Sequence, residues 1–126
     1  MPATPWKQFH AMEPDLDYVV LASVLPILSL RTTLRMMQYS TAVRRQLSDT
    51  AGLVGYSLDA KPWAKRYFTL SIWDDETSLR AFVARPPHLE IMKRLDGDMG
   101  DTKFTQWTMR GSEPRPTWRD ARQRLD

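Results

Sequence analysis

The stretch YVVLASVL, Tyr18 to Leu25, is an uncharged run rich in β-branched and apolar residues and closed by Pro26. It narrows the choice of fold more than any other part of the chain. Such a run reads as a strand. Successive side chains of a strand alternate in direction, so Tyr18, Val20, Ala22 and Val24 point one way and Val19, Leu21, Ser23 and Leu25 the other. Neither row is hydrophilic. A sheet with one wet face alternates apolar with polar residues, and this strand does not. It needs cover on both sides.

The rest of the chain supplies the partners. Residues 1–15 contain several prolines, show no period and read as an arm. After the first strand, Ser29 has the chemistry of a helix N-cap, and a helical pattern follows from Leu30 to about Leu47. GLVGYSL, Gly52 to Leu58, is a second strand; DAKPWAK is a connecting turn; RYFTLSIW, Arg66 to Trp73, is a third strand. Asp74 and Asp75 offer cap oxygens and dipole-favoured charge to a helix through Leu79, Phe82 and Val83. Pro86 and Pro87 interrupt it, and Pro87 suits the first turn of a fresh helix carrying His88, Ile91, Met92 and Leu95. After the loop DGDMGD comes a fourth strand, Lys103 to Met109. Residues 112–126 form a linker and a short C-terminal helix, with Thr117 and Asp120 as a capping box. Between arm and linker, residues 16–111 thus read β-α-β-β-α-β, an α+β ferredoxin-like unit with a four-stranded antiparallel sheet.

Two helices cover one face of such a sheet. On the other, Tyr67, Thr69, Ser71 and Trp73 of the third strand, or Thr105, Trp107 and Met109 of the fourth, carry almost no charge. The simplest lid is the same face of a second chain, which predicts a homodimer. The alternative is a monomer whose arm or C-terminal helix folds over the sheet. The chain has 126 residues, enough for one domain with a real core. Its net charge of +3 is mild, and acids interleave with the bases. A nucleic-acid binder concentrates its charge on one face, so none is expected. No apolar run reaches membrane-spanning length. There is no cysteine, so disulfides, thiolate metal sites and cysteine nucleophiles are excluded, and a cytoplasmic location fits. No glycine-rich phosphate loop and no Ser/His/Asp arrangement stands out.

The order of elements, GLVGYSL before a turn, RYFTLSIWDD after it, then LRAF and a downstream histidine resemble the dimeric α+β-barrel superfamily. That superfamily includes antibiotic-biosynthesis and haem-degrading monooxygenases. The wording around Trp73, LRAF and His88 is most similar to uncharacterised proteins near spheroidene monooxygenase. The resemblance covers Asp17 to Gly111. It implies two sheets closing into a barrel across a dimer, with a pocket between sheet and helices in each chain. It implies a cofactor-independent oxygenase acting on an aromatic or polyketide-like molecule that gives an electron to oxygen once deprotonated. In the haem-degrading branch a histidine on the second helical segment ligates iron, and only His88 matches. That branch also uses an asparagine on the first strand, and this chain contains no asparagine. No cofactor is therefore expected, with haem on His88 as the alternative. A binding or interaction module without chemistry is a further alternative.

Each candidate residue also has a plainer role. Trp73, at a strand end, matches the tryptophan lining the pocket in the resembling proteins and could stack on a planar ligand; it could also be core. His88 sits at a helix start, where imidazolium is disfavoured, so a neutral ring could take a proton; it could also simply help start the helix. Arg44 falls on a helical wheel among Leu30, Met37, Ser40, Thr41 and Leu47. There it could stabilise a ligand anion, or lay its stem on the core while its head reaches water. Tyr39, Tyr56 and Tyr67 could orient a phenolic ligand, and each could equally be structural. Asp74, Asp75 and Glu76 read better as helix-start charges than as a metal site.

Overall fold

Cover on both faces of the first long strand is what the structure, a computed structural model, provides. It describes residues 5–61, 64–95, 100 and 102–125. In chain order the elements are β1 (Lys7–Gln8), β2 (Asp17–Pro26), α1 (Leu30–Ser48), β3 (Leu53–Lys61), β4 (Arg66–Trp73), α2 (Glu76–Val83), α3 (His88–Leu95), β5 (Lys103–Arg110) and α4 (Trp118–Leu125). From β2 to β5 this is the ferredoxin-like order, with the second helical segment split at Pro86 and Pro87. The sheet is open and antiparallel, ordered β1-β3-β4-β2-β5. The arm adds a strand: Lys7 and Gln8 pair with Tyr56 and Gly55. Two residues are too few to show a period. β3 runs on through Asp59, Ala60 and Lys61, beyond the end expected at Leu58. Pro62 and Trp63 of the expected turn lie outside the described residues, as does most of the DGDMGD loop.

The caps are where local chemistry puts them. Ser29 Oγ accepts from the Thr32 N–H at 3.4 Å, and Asp75 Oδ1 from the Ser78 N–H at 2.7 Å. Thr117 Oγ1 accepts from the Asp120 N–H at 3.2 Å while Asp120 Oδ2 accepts from the Thr117 N–H at 3.0 Å. Gly52 turns the chain from α1 into β3 at φ 86°, where a Cβ would also run into the Ser78 side chain.

Residues directly opposite in an antiparallel pair share a face, so the registers sort the two sides of the sheet. On one side Val19, Leu21, Ser23 and Leu25 of β2 face Trp73, Ser71, Thr69 and Tyr67 of β4. α1, α2 and α3 cover this side through Met36, Leu47, Leu79, Phe82, Ile91 and Leu95. On the other side Val20, Ala22, Val24, Leu70 and Ile72 form the core, with Trp118, Ala121 and Leu125 of α4 and Trp6 and Met12 of the arm packed on them. The second face therefore has its lid within the chain. This corrects the premise behind the homodimer, that two helices leave that face bare. The alternative raised from sequence, cover by the arm or the C-terminal helix, is what the structure contains, and both contribute.

α4 is fastened by polar contacts on the β3 residues that face it. Trp118 Nε1–H donates to Ser57 Oγ at 3.3 Å. The Arg122 guanidinium pairs with Asp59, whose side chain is 2% exposed, and Lys61 Nζ stands 3.5 Å from the other carboxylate oxygen. Arg122 also lies over the rings of Phe68 and Trp118, and Arg124 lies 4.2 Å from the Trp107 centroid.

Candidate functional site

On the helix-covered side three rings touch in sequence. The centroids of Trp73 and Phe82 are 5.4 Å apart, and those of Phe82 and His88 are 5.1 Å apart. β4 delivers Trp73 at its last residue, α2 delivers Phe82, and the first residue of α3 is His88. The structure thus brings Trp73 and His88, both singled out in the sequence, to one aromatic run bridged by Phe82. Trp73 is 1% exposed, and its indole N–H donates to Ser71 Oγ at 2.8 Å. It is a satisfied core residue. His88 is half-buried, with Nδ1 3.3 Å from the Val83 carbonyl. Burial pulls its pKa below the ordinary 6.5, against the raising effect of that carbonyl contact. The ring is therefore neutral near pH 7, the form that can accept a proton.

Gln46 holds this histidine in place, and it was not among the residues singled out in the sequence. It is buried on α1. Its amide donates to the carbonyls of Phe82 at 3.2 Å and Arg85 at 3.4 Å, and its oxygen accepts from the His88 N–H at 2.9 Å. One side chain so serves the end of α2 and the start of α3 at once. No local sequence signal marks it, because its partners lie 36 to 42 residues further along the chain. A second unforeseen feature is a hydroxyl pair, Ser23 with Thr69, half-buried where β2 and β4 face each other.

Of the other candidates, Tyr56 shares a buried cluster with Trp73 and Phe82, whereas Arg44, Tyr39 and Tyr67 lie elsewhere. Arg44 is exposed, which corrects its assignment to the apolar arc. The buried arc of α1 runs through Thr32, Met36, Val43 and Leu47, while Met37 is 53% and Leu34 67% exposed. Tyr56 is buried at 3% exposure and stacks with Phe9 of the arm at 6.0 Å between centroids. Tyr67 is buried in a separate cluster with Ile27, Met36, Ile91 and Leu95. Tyr39 packs at that cluster's edge; a hydrogen bond from Arg35, 3.3 Å from the phenol oxygen, and the nearby positive charges of Arg35 and Arg94 hold its pKa below the ordinary 10.0. His10 lies 2.8 Å from Asp74.

The structure gives no support to a haem on His88. One side of the imidazole meets Phe82, and Trp73 behind it is almost fully buried. Among the described residues no group of three or more histidine, aspartate or glutamate side chains could hold a metal ion, and no helix is long and apolar enough to cross a membrane.

An open antiparallel sheet in this strand order, with α1, α2 and α3 on one face and α4 added on the other, defines a ferredoxin-like α+β protein. The chain belongs to the family described as "Domain of unknown function (DUF3291)", whose model matches residues 32–126. No curated protein matches it. Solved structures show the same fold. A variant of SnoaB, a cofactor-independent oxygenase from Streptomyces nogalater, is 15% identical with a TM-score of 0.59, over 74% of this chain and 93% of that one. A dimeric ferredoxin-like protein of unknown function from Thermobifida fusca is 14% identical with a TM-score of 0.64, over 82% and 99%. A conserved protein from Methanosarcina mazei Go1 is 17% identical with a TM-score of 0.61, over 73% and 91%.

Proposed function

We propose that this protein binds a small, mostly apolar aromatic molecule on the helix-covered side of its sheet and oxygenates it without a cofactor. The observation that carries the reading is His88: a neutral, half-buried base at the end of an apolar aromatic run, its backbone N–H held by Gln46. Cofactor-free oxygenation needs a substrate whose anion itself reduces oxygen. The protein's part is to take up the proton and hold the substrate away from water. SnoaB, of the same fold, is described as cofactor-independent, which supports this reading. Kinship with proteins near spheroidene monooxygenase, carried by Trp73 and His88, belongs to the same proposal. So does a pairing of two copies: the Thermobifida fusca protein is dimeric, and the β5 edge carries an exposed Phe104.

The test is oxygen consumption with a panel of phenols and hydroxylated polycyclic aromatics, after extraction of any co-purified molecule. His88→Gln should lower turnover by about 10²-fold or more if His88 is the base. Turnover unchanged in His88→Gln removes its role. The second reading, a binding module without chemistry, is favoured by the burial of Trp73 and Tyr56, which leaves them little reach to a ligand. It predicts bound small molecules and no oxygen uptake with any of them.

A further inference from the structure

The face turned away from α1, α2 and α3 is not sealed everywhere. Between the arm and the linker into α4 lies a cleft of about 280 Å³, lined chiefly by Trp6, Trp118, Leu70, Ser57 and Arg115. Trp6 and Trp118 are both half-buried against the core of this face, so packing fixes each indole while part of its ring stays accessible. Leu70, 2% exposed, and Ser57, 3% exposed, belong to the sheet beneath. Ser57 Oγ accepts from the Trp118 indole N–H, which holds that ring in place. The Arg115 guanidinium lies 4.8 Å from the Trp6 centroid and forms no ion pair among the described residues. The neighbouring Arg122, by contrast, is committed to Asp59.

We propose that this cleft binds a planar aromatic carboxylate of one or two rings, its ring against the indoles and its carboxylate on Arg115. Flat aromatic walls favour a flat ring by stacking and exclude water from one side of it. A guanidinium pairs with a carboxylate through two parallel hydrogen bonds, and Arg115 is the lining cation with no acid of its own among the described residues. The volume lies just below the usual range for small-molecule pockets, which selects a small ring system over an extended one. The site stands on the opposite face of the sheet from His88 and does not depend on the oxygenase reading.

The experiment is a titration of the full chain with 2-naphthoate, followed by calorimetry and by the indole N–H signals in a ¹H–¹⁵N spectrum. Binding should move the signals of Trp6 and Trp118 and leave that of Trp73 in place. Arg115→Gln should weaken binding roughly tenfold, as should replacing the probe with the neutral 2-naphthalenemethanol. His88→Gln, on the far face, should leave the affinity for 2-naphthoate unchanged. Trp6→Leu should abolish binding, and the Arg115 variant and the neutral probe decide the matter if that variant fails to fold. No shift of Trp6 or Trp118 at millimolar 2-naphthoate overturns the proposal. So does equal affinity for the charged and neutral probes, or a response at Trp73 that is lost in His88→Gln.

Discussion

The Gln46 amide satisfies backbone groups on two helices at the point where α2 stops and α3 begins. Gln46→Leu keeps the volume and strands those groups in a buried place, which should cost about 1–3 kcal/mol. The loss is read from chemical denaturation, and the His88 signals should broaden or shift with it. His88 itself makes a pH prediction. Its native pKa is below the unfolded value of 6.5, so the unfolded chain binds the extra proton first. Stability is full above that value and falls as pH drops below it toward the native pKa. His88→Gln should remove this slope, and denaturation midpoints between pH 7 and pH 5 will show whether it does. His88 could be found in the sequence because a histidine after Pro-Pro at a helix start is conspicuous. Gln46 could not, because its partners lie 36 to 42 residues away. Arg44 misled for a related reason. Either of the adjacent methionines Met36 and Met37 could anchor the buried arc, and tertiary packing chose Met36.

At the scale of the element, α4 carries the sharpest contrast. Asp59 is almost fully buried, whereas the side chain of Arg122 is 42% exposed. Arg122→Ala leaves a buried carboxylate with Lys61 alone and should cost roughly 2–4 kcal/mol. Asp59→Ala leaves a guanidinium that can turn to water and should cost less, about 1–2 kcal/mol. Thermal unfolding of the pair of variants tests the order, and equal losses would mean the carboxylate is not buried in solution. Acid should loosen the helix starts as well. The Ser78 hydrogen bonds hold the Asp75 pKa below 3.8, and those of Thr117 do the same for Asp120. The stability these caps give is therefore present above that value and fades as pH falls through the lower native pKa. Gly55→Ala places a methyl carbon 2.7 Å from the Lys7 carbonyl oxygen and 2.7 Å from the Trp6 ring. It should detach the arm, seen as faster amide exchange at Phe9, whose N–H bonds the Val54 carbonyl at 2.8 Å. Most long elements were legible because caps and prolines are local signals. β1 and the full length of β3 were not, because the pairing of the arm with the sheet is set by contacts distant in sequence.

For the molecule as a whole, the double-sided greasiness of β2 was the right clue to a missing cover, and it did not say whose. Cover by α4 and by a second chain satisfy the same apolar surface, and only the path of residues 112–125 distinguishes them. Sedimentation velocity at tens of micromolar tests the pairing directly. Two copies can meet along the open β5 edge with the lid in place, so a dimer, if it forms, should persist when the Leu125→Asp change loosens α4. A dimer that appears only in that variant would instead place the contact on the face α4 now covers. The fold alone reads as a complete unit by Gly111, but its core does not end there. A shortened version stopping at that glycine would expose Val20, Ala22, Leu70 and Ile72 to solvent together, and such material should precipitate on expression. Helix α4 is thus a poor place to cut and a hazardous one to crowd with a purification handle.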